Sequence, residues 1–347
     1  MTERSPRAGV DYPGSYADLL SWFPDDGACL DYLDWLRWPD GFSCPRCGPV
    51  AAWRYGDGRW FCSGCSHRVS ATAGTIFHRT RTPLTVWFAA AWHLTNQKNG
   101  ISAIGLKREL GIGSEQTAWA MLHRYRTAMI RPGRDRLSGS VEVDETVIGG
   151  PEPGRPGRGA LGKTLVAVAV EREARTFGRC RLQVIEDASG PVLRNVLLAH
   201  VEPGSTVITD GWPSYRPACS TDYVHEPLVV SGSGHEAHEL LPAVHRVAAL
   251  VKRWLEGTHQ GGVQPAHLQA YLDEFAFRFN RRRSRARAML FYRLLEQSVQ
   301  ATPRTYRSLV AGVHPSRRTL PVPPADKRVR CESLAGPQLD RPWRKAG

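Results

Sequence analysis

Four cysteines set the first constraint on this chain. Cys44-Pro-Arg-Cys47 and Cys62-Ser-Gly-Cys65 are two C-x2-C pairs with fourteen residues between them. Each pair can present two thiolates from one tight turn, and two such knuckles close the four-thiolate tetrahedral site that binds structural zinc. The surrounding sequence agrees with a small β-rich module over residues 41–80: turn formers are dense, Gly48 and Gly64 suit the knuckle turns, and Trp60-Phe61 leads into the second pair as a hairpin strand would. A redox role for either pair fits less well, because a doubled motif in turn-rich surroundings favours metal. With every coordination position taken by sulfur, the zinc stabilises the fold and does no chemistry. Cys29, Cys180, Cys219 and Cys331 are isolated, and His67 is a spare potential ligand; they carry no assignment.

Charge narrows the partners. The 347 residues carry a formal net charge of +13, which suits a polyanion. Nucleic acid is the first choice and an anionic membrane the second. No apolar run approaches the roughly 18 residues of a membrane span, and Met1-Thr-Glu-Arg-Ser-Pro-Arg7 lacks the apolar core of a signal peptide. The expected home is the cytoplasm, where eight cysteines point to metal or free thiols rather than disulfides.

The texture changes along the chain and predicts a multidomain protein. Residues 1–40 form a helical segment with an apolar stripe of Leu30, Leu33 and Leu36. Residues 41–80 are the zinc ribbon. Residues 81–136 are helical. Thr82 can cap a helix that starts at Pro83. Ala103, Leu106 and Leu110 make one stripe and Ala118, Met121, Leu122 and Tyr125 another, on two helices around Gly111-Ile-Gly113 with Ser114 as a cap. That is a helix-turn-helix pattern. Its polar residues, Ser114, Glu115, Gln116, His123, Arg124 and Arg126, can contact DNA; an ordinary helical hairpin with a solvated basic face reads the same way. Residues 137–290 have an α/β texture. Strands are predicted over 141–148, 164–171, 179–186 and 205–209, and helices over 190–200, 239–256 and 266–280. Pro151 to Gly162 reads as a mobile hairpin loop, and residues 291–347 as a basic, loosely ordered tail.

Three side chains in the α/β segment can converge. Strand alternation puts Glu142 and Asp144 on one side and Val141 and Val143 on the other, with Glu145 pointing away from Asp144. Asp210 closes the apolar run Ser205-Thr-Val-Ile-Thr209, at the carboxyl end where α/β sheets place ligands. On the 239–256 helix Val244, Val247, Val251 and Leu255 make the buried stripe, while His245, Ala249 and Lys252 share a neighbouring face. His245 can then reach a metal site held by Asp144 and Asp210 while Lys252, with Arg253 beside it, holds DNA phosphate. Paired divalent cations in such a site can drive phosphodiester chemistry. Singly each residue has a plain structural reading: Asp144 as a turn former before Gly149-Gly150, Asp210 as the start of an Asp-Gly turn, His245 as a core histidine, Lys252-Arg253 as a solvated pair.

Phe42-Ser-Cys-Pro-Arg-Cys47, the helical pair Ser102 to Arg126, Val141-Glu-Val-Asp-Glu-Thr-Val-Ile-Gly-Gly150, Thr209-Asp-Gly-Trp212, His245 to Lys252, Trp254-Leu-Glu-Gly-Thr-His-Gln260 and Tyr271-Leu-Asp-Glu-Phe-Ala-Phe-Arg-Phe-Asn-Arg281 together resemble the bacterial insertion-sequence transposases. These join an N-terminal zinc ribbon to a DDE-type, ribonuclease H-like catalytic core. The resemblance spans about residues 15–290. It implies that Asp144 and Asp210 bind Mg²⁺ or Mn²⁺, that water cuts at the element's end, and that the freed 3′-hydroxyl attacks target DNA. It further implies nucleoid association and a homo-oligomer that holds two ends. The third group of the triad is usually Glu, whereas this chain has His245 there; Glu239 and Glu274 are other acids within reach of the role. Alternatives are a catalytically inactive DNA-binding regulator and a structure-selective nuclease on the same core.

Overall fold

The computed structural model describes residues 6–131, 133–149, 163–173, 176–229 and 237–312. The chain divides into two units, one built from residues up to Met129 with Ser284–Leu309, the other from Ile130–Arg283. The proposed 151–162 hairpin loop and the tail beyond 312 lie outside the described residues.

The first unit opens with α1 (Tyr16–Trp22) and α2 (Asp26–Arg37). Ser15 and Asp25 begin them by accepting the N–H groups of Asp18 and Ala28, donors that a helix start otherwise leaves unpaired. The ribbon follows as β1 (Ala52–Arg54), β2 (Trp60–Cys62) and β3 (Arg68–Val69), antiparallel and in sequence order. Then come α3 (Leu84–Asn96), α4 (Ala103–Glu109) and α5 (Glu115–Ala128). The start of α3 differs from expectation by one residue. Pro83 stands at the cap position, and the N–H and C=O of Thr82 are engaged by the Thr80 hydroxyl. The turn between α4 and α5 is set by Gly111 at φ +61°, with Ile112 N–H reaching back to the Lys107 carbonyl. A left-handed residue there favours glycine. Ser114 occupies the cap position of α5 but its side chain makes no capping bond.

The second unit is a five-stranded mixed sheet covered on both faces. Its elements in order are β4 (Ser140–Ile148), β5 (Thr164–Arg172), β6 (Phe177–Ile185), α6 (Gly190–His200), β7 (Thr206–Thr209), α7 (Tyr215–Cys219), β8 (Val224–Pro227), α8 (Ala237–Leu240), α9 (Pro242–His259) and α10 (Leu268–Phe279). The strand order is β6-β5-β4-β7-β8. β4–β5 and β5–β6 pair antiparallel, β4–β7 and β7–β8 parallel. The unbroken apolar run of β5 follows from its central place: Val166, Val168 and Val170 pack under Val244, Val247, Val251 and Leu255 of α9, while Ala167 and Ala169 join Val141, Val143 and Val207 beneath α6 and α7. The stripe expected on α9 is therefore the buried one.

β6 is an edge strand, and α10 covers its free edge. Gln269 accepts from Val184 N–H at 2.8 Å and donates to the Leu182 carbonyl at 3.0 Å. Asn280 accepts from Cys180 N–H at 2.7 Å and donates to its carbonyl at 3.1 Å. Two side-chain amides thus stand in for a neighbouring strand, which keeps the edge from recruiting another chain. Asn280→Ala is expected to leave the buried Cys180 N–H unpaired while its carbonyl keeps the Arg181 guanidinium at 3.0 Å, cost about 1–3 kcal/mol, and speed amide exchange at Cys180. Wild-type protection there would show that the pairing contributes nothing.

After α10 the chain returns to the first unit as α11 (Met289–Ser298) and α12 (Tyr306–Val310). This corrects the expectation of a tail from 291 onward. Leu290, Phe291, Leu294 and Leu295 are buried, and Phe291 closes an aromatic cluster with Phe23 and Phe88 at ring spacings of 6.4 and 5.9 Å. Among the described residues no helix is long and apolar enough to cross a membrane.

Candidate functional site

The acid constellation is built by the second unit. Parallel pairing of β4 with β7 runs Ser140↔Thr206, Val141↔Val207, Glu142↔Ile208. Asp144 lies two residues further along β4, and Asp210 lies two residues past Ile208, directly after the end of β7, so parallel pairing carries both acids to the same end of two neighbouring strands. Asp210 opens a turn as its plain reading had it: its Oδ1 accepts the Trp212 N–H at 3.0 Å, and Gly211 takes φ +81°. His245, near the start of α9, brings Nε2 to 3.9 Å from Asp144 Oδ2. That is too long for a hydrogen bond and short enough for one cation to touch both. Among the described residues the four cysteines form the group of potential metal ligands whose atoms all lie within 4.8 Å of one another; Asp144, Asp210 and His245 are not gathered that tightly. Glu239, on α8, is exposed, and Glu274 is fully buried on α10, 3.5 Å from Arg278.

Two neighbours of Asp144 carry structure that local reading missed. Glu142 is fully buried. Its Oε2 accepts from the first free amides of α9, Ala243 at 2.7 Å and Val244 at 3.1 Å, so a strand side chain caps a helix about a hundred residues on. Burial raises the Glu142 carboxyl, opposed by those two amides and by Arg172. Because Glu142 and Asp144 share a strand face, the cap fixes where His245 meets Asp144. Glu142→Ala is expected to strand both amides, cost about 2–3 kcal/mol, and accelerate exchange at Ala243 and Val244. Glu142→Gln, which keeps an acceptor, should largely restore protection, and equal exchange in all three proteins would refute the cap. On the opposite face Tyr215 donates to Glu145 at 2.6 Å. Burial drives the Tyr215 phenol well up, and the Glu145, Asp144 and Asp210 carboxylates add to it. Strand alternation could have found Glu142; nothing local marks Tyr215.

Lys252 is half-buried, its ammonium lowered by burial and by Lys163 with Glu256 opposing; Arg253 is exposed. The helix-turn-helix residues divide differently than expected. Arg126 is 1% exposed and His123 3%, and Arg124 donates Nε to the Arg304 carbonyl at 3.1 Å. Arg126 therefore does not face DNA, because the body of α5 is core. The exposed part of α5 is Glu115, Gln116 and Thr117, the N-terminal turn with which recognition helices reach bases.

In the first unit the four cysteines meet as their spacing predicts. Sγ atoms of Cys44 and Cys65 lie 3.6 Å apart, those of Cys47 and Cys62 3.3 Å. These spacings fit four sulfurs about one tetrahedral zinc. The first knuckle closes through mutual Cys44–Gly48 backbone bonds with Gly48 at φ +85°. In the second the left-handed residue is Ser66, at φ +56°, rather than Gly64.

Comparison with known families agrees with both halves. Residues 136–280 match the ISXO2-like transposase domain, and residues 24–68 match the transposase zinc-ribbon domain. No curated protein matches the chain. The two matches together span more than half of the sequence, and in this order they place the chain among the insertion-sequence transposases that carry a zinc ribbon ahead of an ISXO2-like transposase domain.

Proposed function

We propose that the protein is a DNA transposase that cuts at the ends of an insertion sequence and joins them to target DNA, using a ribonuclease H-like core. The observation that carries this is the placement of Asp144 on β4 and of Asp210 directly after the end of the adjacent parallel strand β7, with His245 3.9 Å from Asp144. The order β6-β5-β4-β7-β8, in which β5 alone runs against the rest, supports the core assignment. Asp144 and Asp210 would hold Mg²⁺ or Mn²⁺ and His245 would complete the set. Bound there, paired cations supply a deprotonated nucleophile and stabilise the entering and leaving oxygens of an in-line displacement. An imidazole suits softer ions better than it suits the hard Mg²⁺, so His245 would favour Mn²⁺ over Mg²⁺. Glu142 keeps α9 in place, and Lys252 and Arg253 attract the phosphates along it.

DNA is the proposed partner, the nucleoid the proposed location, and an assembly of at least two copies the proposed active form, since two ends must be joined. The deciding experiment incubates the full chain with DNA carrying the sequences that flank its gene, with Mg²⁺ or Mn²⁺, and resolves nicked and joined products. Joining supports a transposase. Nicking without joining indicates a nuclease, and binding without either a regulator.

A further inference from the structure

We propose that the outward face of the ribbon sheet is a stacking platform for unpaired DNA bases, an inference that rests on DNA being the partner of this chain. Alternation divides the sheet into two rows. One row turns inward: Arg54 pairs with Asp31 at 2.5 Å and Asp34 at 2.9 Å, and Trp60 donates to Asp34 and stacks on Phe42 at 4.9 Å. The other row holds Trp53, Phe61 and Arg68, aligned across the strands by the pairings Trp53↔Phe61 and Phe61↔Arg68. The Trp53 and Phe61 rings stack at 4.4 Å, and the Arg68 guanidinium lies 5.5 Å from the Tyr55 ring and 5.9 Å from Phe61. Trp53 is 50% exposed and Tyr55 36%.

Charge tells the two rows apart. Arg54 inside is neutralised twice. Arg68 outside, and Arg46 on the first knuckle, are exposed and pair with no carboxylate among the described residues. An apolar protein partner would bury Arg68 without a counter-ion, at a high cost. A polynucleotide supplies both missing halves: phosphate for the two guanidiniums and flat π faces for Trp53 and Tyr55. In an intact duplex those faces are covered by neighbouring bases, so the surface fits a strand whose bases are unpaired, as at an opened end. Its reading is distinct from the groove contact open to the first turn of α5.

The test uses the full chain in an Asp144→Asn background, so that DNA stays intact and failure of the cleavage chemistry leaves the readout untouched. Binding of a fluorescein-labelled single-stranded 20-mer and of its blunt duplex is followed by anisotropy over a salt series. Trp53→Ala is expected to weaken single-strand binding about tenfold, with duplex binding changed less than about twofold and Trp53→Phe restoring most of the loss. Arg68→Gln is expected to lower the salt slope on single strands by about 0.7. Zinc content of each variant verifies the ribbon, and Tyr55→Ala, outside the strands, repeats the comparison. Unchanged single-strand affinity in both aromatic variants overturns the proposal. So does an equal loss on strand and duplex, or a Trp53→Ala that dissociates an oligomer while single-strand binding holds.

Discussion

Asp144→Asn is expected to abolish metal-dependent strand cleavage, with a loss of about a thousandfold or more, and Asp210→Asn to match it. Asp144 lies on β4 and Asp210 directly after the end of β7, and in the proposed site each would supply its own charge to the cations. Asparagine keeps the shape and one oxygen but removes the charge that offsets a divalent cation's dehydration. Several kcal/mol of transition-state stabilisation depend on that cation, and each 1.36 kcal/mol is tenfold in rate. His245→Ala should reduce cleavage severely, whereas His245→Glu should retain it and move the preference from Mn²⁺ towards Mg²⁺, because carboxylate oxygen suits the harder ion. End-containing DNA, titrated with each metal, reads all four variants in one assay. An active Asp144→Asn protein would end the assignment. Full activity in His245→Ala would move the third role to another residue, and the fully buried Glu274 is a poor choice for it.

Removal of zinc is the second large effect. Cys44→Ser or Cys62→Ser is expected to lose the metal and, with it, the protection of β1–β3. The ribbon is three short strands, and the third has two residues, too little to fold on strand pairing alone. Structural zinc supplies about 10–16 kcal/mol of apparent binding energy in small modules, comparable with the whole stability of a typical domain. Cys44 and Cys62 are buried, so each leaves an unsatisfied pocket as well as an open coordination position. Metal analysis should give one zinc per wild-type chain. Hydrogen exchange should show the loss confined to the ribbon and to the face of α2 that Arg54 and Trp60 contact through Asp34. A Cys44→Ser protein with native exchange over β1–β3 would show that the strands stand without metal.

Features carried by near neighbours in sequence were the legible ones. The two knuckles, the apolar run of β5, the period of Val244, Val247, Val251 and Leu255, and the span of α6 all follow from spacing within one element. β8 escaped notice because Val224–Pro227 is four residues, mostly exposed, with no periodicity to read. The basic helix face around Arg124 and Arg126 misled because charge usually means solvent; in this fold Arg126 is enclosed by its own unit and the half-buried Arg124 is engaged by the Arg304 carbonyl. The segment after 290 misled for the opposite reason. Its arginines dominate the composition, while Leu290, Phe291, Leu294 and Leu295 are enough to return a helix to the core.

Local chemistry alone therefore fixed which residues could ligate zinc, which strands are central and which acids are eligible for a cation, since thiol spacing, apolar period and carboxylate type are properties of short segments. The folded chain decided which of those options are realised. Glu142 capping a helix 101 residues away, the parallel pairing of β4 with β7 that carries Asp144 and Asp210 to one end of the sheet, and the amide clamp of α10 on β6 join distant segments. Loop closure and packing bring them together, and no window of sequence contains both partners.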